Sequence, residues 1–590
     1  MQAVGTPREF TLRGALLGIA LALVLGAANA YLGLYGGLTV SASIPAAVVA
    51  MAVLGAFGEA SALENNVVQT IASAGEAVAA GAIFTFPALI ILGGMTRLPY
   101  VEVTLLCAVG SLLGSLLVIF LRRPYVVEER LPFPEGRACA EVLRAGEAGR
   151  EQARPLFWGG LGGALVKAGQ GLLDLPAAQL AAAGRIGKAV LAGSMNLSPA
   201  LFGVGYIVGI RIASLVFLGG ALGWWIGIPT LSLYRRTSAA LPAAEAAAAL
   251  WSGDIRYMGV GAMLVGGVVT LWQLAGPIGR ALRSSVALAR AGRVAARHQP
   301  REETDIAPIV VAWGVLLGGV LAFAVCLLLG AGWALSAGLA LMLVVVGFFA
   351  AAVAGYLTGI VGSSNSPVSG VTVIVLLLVA AALRWLGAPS ALGARLSLLA
   401  ASVICTAAAM AGDSLHDLAT GFHLRATPRA LETAVTLGAL VSALVMAPVL
   451  NLLIQAYGIA GTASAKAGAL AAPQAFLMAK VVEGVFVGDL PLKTIGAGVL
   501  LALALAAGDE LLRRRGCSWR IAVMPVALGL YLPLGVSTAI FTGALLGLAG
   551  APEDARPRGL LLAAGLVAGE ALAGVFIGVL VTAGLRVPLF

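Results

Sequence analysis

Charged side chains occur inside long apolar stretches of this sequence. Glu76, Arg211 and Glu570 lie near the centres of such stretches. A charge inside hydrocarbon is costly unless it faces a cavity or a partner, so residues of this kind mark functional sites. Burial favours the protonated form of a carboxyl group, which is the chemistry that coupling to a proton gradient requires. The alternative interpretation is a structural ion pair of Arg211 with Glu76 or Glu570.

A second group of ionisable residues closes another apolar stretch. On a helix, Asp413 shares one face with Asp417 four residues later and with His416 three residues later. Such a face is compatible with a proton relay or with a weak metal site. A solvated helix end before the following basic loop explains the same pattern equally well.

Two polar segments interrupt apolar stretches. Residues 36–45 and 359–367 combine Gly and Pro with hydroxyl and amide side chains, which weaken a helix and display backbone groups. Interrupted segments in matching positions of two halves indicate the substrate site of a secondary transporter, and an ordinary turn is the alternative. The candidate residues are Thr39, Ser41 and Ser43 in the first segment and Ser363, Ser364, Asn365 and Ser366 in the second.

Composition sets the class of protein that must position these residues. The 590 residues are 60% hydrophobic and 11% charged, against about 45–50% and about 25% in soluble domains, which excludes a soluble enzyme. The excess of 37 Lys and Arg over 27 Asp and Glu lies between apolar stretches, as in membrane proteins, so nucleic-acid binding is not expected. The five cysteines are scattered, and we predict no metal site and no cofactor.

The apolar stretches predict an all-α polytopic membrane protein with 14–16 transmembrane helices. Two predicted spans cover 199–228 and 521–549, and a longer stretch, 474–508, is expected to break at residues 488–491. The arginines near the N-terminus and in 122–154 predict a cytoplasmic N-terminus in the inner or plasma membrane. The basic loop 280–301 also favours the cytoplasm, which requires either an extra membrane element at 176–196 or an exception to the rule.

Short strings recur in the same order along the two halves of the chain. Tyr31-Leu32 returns as Tyr356-Leu357, and Gly75-Glu76 has its counterpart in Gly412-Asp413. Repeated halves are common in secondary transporters, which place the substrate near the membrane midplane at the repeat interface. We therefore predict two membrane repeats, residues 1–300 and 301–590, that form one transport unit with interrupted helices near the midplane.

Specific strings then point to a family. The sequence from Asn29 to Ala47 and the sequence from Glu64 to Glu76 are the most specific. Together with shorter Gly- and Pro-containing strings, they resemble the oligopeptide transporter (OPT) family, in its prokaryotic and yellow-stripe-like branch. The shorter strings begin at Pro132, Val487, Gly529 and Ala568, so the resemblance covers nearly the whole chain.

The resemblance implies a proton-coupled symporter that imports small oligopeptides or peptide-like amino-acid conjugates. Its partners are the lipid bilayer, the substrate and protons, and a homodimer is an option. The alternative on the same fold is uptake of metal–chelate complexes, and a passive channel or a membrane hydrolase ranks lower. Motifs of the common hydrolases are missing from the sequence, so we do not expect an enzyme.

Resemblance and chemistry together select the site residues. One side of the substrate path is expected to comprise Asn29, Tyr31, segment 37–45, Asn65, Asn66 and Gln69, and segment 362–367 the other. Amides, hydroxyls and exposed backbone suit the repeating donors and acceptors of a peptide. For proton coupling the first candidates are Glu76 and Glu570, followed by Asp413 and Asp489.

Overall fold

The computed structural model of the chain describes most of its residues. They are 9–37, 39, 41–58, 60–93, 95–146, 153–172, 179–234, 241–266, 269, 300–363, 368–466, 469–488, 491–517, 519–549 and 556–582.

Helices dominate the N-terminal part of the chain. They are α1 (Leu12–Gly36), α2 (Ser43–Ala56), α3 (Ala62–Thr85), α4 (Pro87–Ile91), α5 (Tyr100–Arg122), α6 (Pro134–Gly146), α7 (Ala153–Leu172), α8 (Pro199–Val208), α9 (Ile210–Ala221), α10 (Ile228–Tyr234) and α11 (Ala243–Leu250). A further helical stretch covers 256–266. Wider π-helical turns occur at Arg123–Glu128, Leu222–Gly227 and Trp251–Ile255.

The C-terminal part is helical as well. Its elements are α12 (Pro308–Leu328), α13 (Trp333–Val361), α14 (Val368–Trp385), α15 (Ser390–Leu424), α16 (Pro428–Tyr457), α17 (Pro473–Phe486), α18 (Leu492–Arg514), α19 (Val523–Tyr531), α20 (Leu534–Ala549) and α21 (Arg556–Thr582), with a 3₁₀ turn at Arg301–Glu303. In the described part of the chain, eleven helices are long and apolar enough to cross a membrane, and three shorter apolar helices accompany them. This confirms the predicted all-α polytopic membrane protein.

The interruptions that the sequence predicts are real breaks between helices. Helix α1 ends at Gly36, where Gly37 takes the left-handed conformation and donates its N–H to the Gly33 carbonyl. Helix α13 ends before Gly362, which has a φ of 89°. Glycine adopts both conformations without the strain that a Cβ causes. The third expected break is also confirmed, since α17 ends at Phe486 and α18 begins at Leu492.

Two predicted spans are interrupted by a break between helices inside their predicted bounds. The span at 199–228 divides between α8 and α9 at Gly209, whose φ is 82°. The span at 521–549 divides at Leu532, which is extended before Pro533. Proline disfavours the helical conformation of the preceding residue, so this break has a local cause.

A spanning element at 176–196 is not what the described residues form. Strands β1 (Gln179–Ile186) and β2 (Ala189–Asn196) make an antiparallel hairpin whose register pairs Gln179 with Asn196 and Ile186 with Ala189. Strand β1 is exposed along its length, and β2 packs on α20. Most of loop 280–301 lies outside the described residues.

The chain divides into two compact units. Unit 1 comprises Met1–Arg154 and Leu274–Val487, and unit 2 comprises Pro155–Gln273 and Gly488–Phe590. Each unit takes segments from both halves of the sequence. The sequence repeat between 1–300 and 301–590 stays a prediction.

Unit 1 is built around α3 and α15. In the most apolar stretch of the span that begins with α3, 94% of the residues are buried, and for α15 the share is 89%. Helix α3 packs against α1, α15 and α16. The approach to α1 is close, because a Cβ on Gly75 would lie 2.2 Å from the Ala22 carbonyl oxygen. Small residues at such crossings allow membrane helices to pack through their backbones.

Unit 2 contains two broken helices, one formed by α8 and α9 and the other by α19 and α20. Helix α8 packs on α20 and α21, and α9 packs on α19 and α20. Glycines again mark the crossings: a Cβ on Gly205 would lie 1.8 Å from the Ile540 carbonyl oxygen, and one on Gly529 would lie 1.8 Å from that of Val216. These contacts lie near the ends of the short helices α8 and α19, close to the breaks at Gly209 and Leu532.

Candidate functional site

Glu76 lies in the middle of α3 and is 4% exposed. Its Oε2 atom accepts a hydrogen bond of 2.5 Å from the backbone N–H of Ala42, the residue that precedes α2. Ala42 has no side chain that can cap this helix, so Glu76 places its carboxylate at the N-terminus of α2, where a negative charge is favourable. Asp413, Glu135 and Asp417 interact electrostatically with Glu76.

Asp417 and His416 lie beside the first residue of α2. Ser43 Oγ donates a 3.2 Å hydrogen bond to Asp417 Oδ1, and Gln69 Nε2 donates a 2.5 Å bond to the same oxygen. His416 Nδ1 is 3.5 Å from Ser43 Oγ and 3.8 Å from Asp417 Oδ1. His416 and Asp417 are each 1% exposed. The interpretation of this stretch as a solvated helix end is therefore wrong, because α15 continues to Leu424 and carries these residues through the packed interior.

Asp413 faces the break between α13 and α14. Ser363 Oγ donates a 3.0 Å hydrogen bond to Glu135 Oε2 and also interacts with the carboxylate of Asp413. Helix α6, which carries Glu135, is held at this break by a 2.8 Å bond from the Phe133 N–H to the Gly359 carbonyl. The Cβ position of Gly362 lies 2.5 Å from Glu135 Oε1, and the φ of 89° at Gly362 favours glycine there.

These residues form a single group, which we call the polar cluster. The local reason for its position is that the start of α2 and the end of α13, at the two helix breaks, lie against α3 and α15, the two most buried helices of unit 1. Its members are Ser43, Gln69, Ser73, Glu76, Glu135, Ser363, Asp413, His416 and Asp417.

The structure brings five of the predicted site residues into the polar cluster. These are Ser43, Gln69, Glu76, Ser363 and Asp413. The role of these five residues as a substrate path stays a prediction.

Other predicted residues of α1 and α3 lie outside the polar cluster. Tyr31 is buried between two aromatic rings, with centroid distances of 5.8 Å to Tyr35 and 5.6 Å to Tyr457. Asn29 is buried in the same helix. Asn65 and Asn66 are buried near the start of α3. Thr39 and Ser41 are half-buried in the connection to α2, whereas Ser364, Asn365, Ser366 and Asp489 lie outside the described residues.

Glu570 belongs to unit 2 and has its own partners. Its carboxylate accepts 2.9 Å bonds from Ser198 Oγ and a 2.8 Å bond from the Ala200 N–H, at the N-terminus of α8. The nearby cation is Lys167. Arg211, the partner in the alternative ion-pair interpretation, lies in α9 and is exposed, whereas Glu570 is 1% exposed.

Sequence reasoning missed four residues of the polar cluster as site residues: Ser73, Glu135, His416 and Asp417. Glu135 follows the Arg-rich segment and precedes further charges, a composition that predicts a surface loop. The signal available in the sequence was the string from Pro132 to Gly136, which resembles the family. His416 and Asp417 were recognised by their spacing from Asp413, but that spacing does not say whether a helix face is buried.

Several buried polar atoms near the polar cluster have no hydrogen-bond partner within the described ranges. They include Gln69 Oε1, Thr358 Oγ1, His416 Nε2 and both amide atoms of Asn66. Buried polar atoms are normally bonded, so such groups indicate water or a ligand. Within the same ranges, no group of three or more His, Cys, Asp or Glu side chains has the arrangement of a metal site, so the geometry does not support the weak metal site at Asp413.

Comparisons with known proteins agree with this architecture. The profile of the family described as "OPT oligopeptide transporter protein" matches residues 9–581. A protein of Haemophilus influenzae described as "Putative oligopeptide transporter" is 34% identical over 589 residues, which cover 94% of this chain and 92% of that protein. The family match covers every helix that contributes to the polar cluster.

Proposed function

The chain belongs to the OPT oligopeptide transporter family, and we propose that it imports small oligopeptides together with protons through unit 1. It is an integral membrane protein, and transport across the bilayer is the activity that its family and its apolar helices support. We propose the direction of transport (import), the coupling ion (the proton) and the substrate (small oligopeptides).

The observation that carries the proposal is the charge balance of the polar cluster. Glu76, Asp413 and Asp417 lie on helices that span the membrane. Across the part of the chain that the structure describes, none of the three forms an ion pair with lysine or arginine. Carboxylates inside the membrane without a basic partner bind protons or a cationic ligand. A proton-coupled transporter needs sites that bind protons reversibly.

The neighbouring polar groups suit a peptide. Backbone groups are freed at the two helix breaks, and hydroxyl and amide side chains surround them. A peptide of any sequence presents alternating N–H donors and C=O acceptors, which these groups can bond without reading its side chains. Selection by backbone is consistent with a carrier for many short peptides.

Proton coupling is assigned to Glu76 and Asp413 in unit 1. Glu570 is the corresponding candidate in unit 2, and Asp489 remains a candidate on sequence grounds. The arginines at Arg8 and Arg13 support a cytoplasmic N-terminus. In this orientation, protons that move down their gradient enter the cytoplasm, and the peptide enters with them.

The test is uptake by the purified protein in liposomes with an imposed inward proton gradient. Labelled dipeptides to hexapeptides are supplied with and without iron or copper chelates. We expect uphill accumulation of peptides without metal, and loss of that accumulation when a protonophore is added. The Glu141→Gln variant, which changes an exposed carboxylate of α6, serves as the control and should transport normally.

The same experiment separates the alternatives. Accumulation that requires the metal would replace the proposal with metal–chelate uptake. Equilibration without accumulation would indicate a channel, and release of cleaved fragments would indicate a hydrolase. Each of these results contradicts proton-coupled peptide import.

A further inference from the structure

The polar cluster has a deeply buried side and a half-buried side. Glu76 and Asp417 are 4% and 1% exposed. Glu135, Ser363 and Asp413 are half-buried. Glu135 and Asp413 are therefore the carboxylates of the cluster that are more accessible to a ligand from outside.

The half-buried side places two carboxylates around one hydroxyl group. Ser363 Oγ donates to Glu135 Oε2 at 3.0 Å and interacts with Asp413. Glu135 and Asp413 also interact electrostatically with each other. Like charges at such positions repel, and a cation between them relieves the repulsion. The described residues bring no lysine or arginine into an ion pair with Asp413.

The end of α13 adds to the negative potential at this place. Its last residue is Val361, and the carbonyl groups of a last helical turn carry a partial negative charge that favours cations. Two of these carbonyls are occupied, since Thr358 O accepts from the Gly362 N–H and Gly359 O accepts from the Phe133 N–H. The helix end and the two carboxylates thus both make the potential at this place more negative, which favours binding of a cation.

An independent observation also indicates a ligand. The Oγ1 atom of Thr358 has no hydrogen-bond partner among the residues described, although Thr358 is 1% exposed. It faces the residue before Asp413, because a Cβ on Gly412 would lie 2.7 Å from this oxygen. Thr358 is also tied to the end of α13 near Glu135, since its carbonyl accepts from the Gly362 N–H and the Cβ position of Gly362 is 2.5 Å from Glu135 Oε1. A hydroxyl oxygen accepts hydrogen bonds from an ammonium group.

We infer that Asp413 and Glu135 bind the N-terminal ammonium group of the peptide substrate, with the Thr358 hydroxyl as a further acceptor. An ammonium group has three donors and no acceptor, which matches a place that offers carboxylates, a hydroxyl and a helix C-terminus. This inference rests on the proposed function and deepens it. The substrates are then peptides with a free amino terminus.

The experiment compares three unlabelled peptides as competitors of labelled trialanine uptake in liposomes without a membrane potential. They are trialanine, N-methyl-trialanine, which keeps the charge, and N-acetyl-trialanine, which loses it. We expect the acetylated peptide to need about tenfold or more higher concentration for half-inhibition, because a charge-assisted contact is lost. The methylated peptide should remain close to trialanine.

Variants assign the residues. Glu135→Gln and Thr358→Val should each reduce the preference for the free amine, and Glu141→Gln on the same helix as Glu135 should leave it unchanged. Equal competition by the acetylated and free peptides, with uptake intact, would overturn the inference and leave the proposed function standing. No uptake of labelled trialanine by the wild-type protein would instead overturn the proposed function.

Discussion

Glu76 of α3 accepts a 2.5 Å hydrogen bond from the backbone N–H of Ala42, directly before α2. In unit 2, Glu570 of α21 accepts a 2.8 Å bond from the Ala200 N–H in the first turn of α8. Both acceptors are buried glutamates in apolar helices, and both bonded helices are short and apolar. An ionised carboxylate is stabilised by a helix N-terminus. Protonation of Glu76 should therefore weaken its interaction with the N-terminus of α2, and protonation of Glu570 its interaction with the N-terminus of α8.

The first prediction concerns proton coupling at Glu76. Glu76→Gln keeps the shape of the side chain and removes the titratable carboxyl group, so peptide should still equilibrate across liposomes but not accumulate against its gradient. Uptake measured with and without an inward proton gradient checks this expectation. Glu141→Gln is the control. Gradient-driven accumulation by Glu76→Gln at the wild-type level would show that another group carries the proton.

The second prediction concerns the N-terminus of α8. Ser198 Oγ accepts a 3.1 Å bond from the Leu201 N–H and donates to Glu570. Ser198→Ala should lower the free energy of unfolding by roughly 1 kcal/mol, since helix caps contribute about that amount. Denaturation in detergent measures the change, with the exposed Ser252→Ala as control. A loss no larger than that of the control would contradict the capping role.

The third prediction concerns the crossing of α1 and α3. A Cβ on Gly75 would overlap the Ala22 carbonyl, so Gly75→Ala should destabilise the protein by about 1–3 kcal/mol. Gly338 in α13 has no neighbour within 4 Å of a Cβ. Gly338→Ala should therefore be neutral or slightly stabilising, because alanine favours helix more than glycine. Thermal unfolding of the two variants measures this difference. Equal melting temperatures would contradict the close crossing of α1 and α3.

The fourth prediction concerns the buried arginine at the end of α5. Arg122 forms bonds of 2.6 and 2.9 Å to the two oxygens of Asp305, and its side chain is 4% exposed. Arg122→Gln should cost about 3 kcal/mol of stability, because removing one partner leaves a partly buried charge unpaired. Arg137→Gln removes an exposed pair with Glu141 and should cost less than about 1 kcal/mol. Similar losses in the two variants would contradict this difference in burial.

The helix breaks were predictable because their causes are local. Gly37 and Gly362 both take positive φ at the ends of α1 and α13, and glycine beside polar residues in an apolar stretch indicates such an end. Glu76 was recognisable for a similar reason, as a charge within an apolar stretch. These features require a few neighbouring residues and no knowledge of the fold.

The partners of these residues were not predictable from one sequence. The bond between Ser363 and Glu135 joins positions 228 residues apart, and Gln69 and Asp417 are 348 residues apart. Local composition placed Glu135 in a polar loop, whereas the contact of Phe133 with Gly359 draws it against a helix break. The interleaving of both sequence halves in each unit likewise depends on long-range packing between helices.

The central claim is that peptide and proton enter together, and peptide-driven proton flux tests it most directly. Wild-type protein is reconstituted in liposomes that contain a pH-sensitive dye, and trialanine is added outside at equal pH with the membrane potential clamped at zero. The account predicts acidification of the lumen that begins with peptide entry and is absent in liposomes without protein. Entry of labelled trialanine with no change in lumenal pH would contradict it.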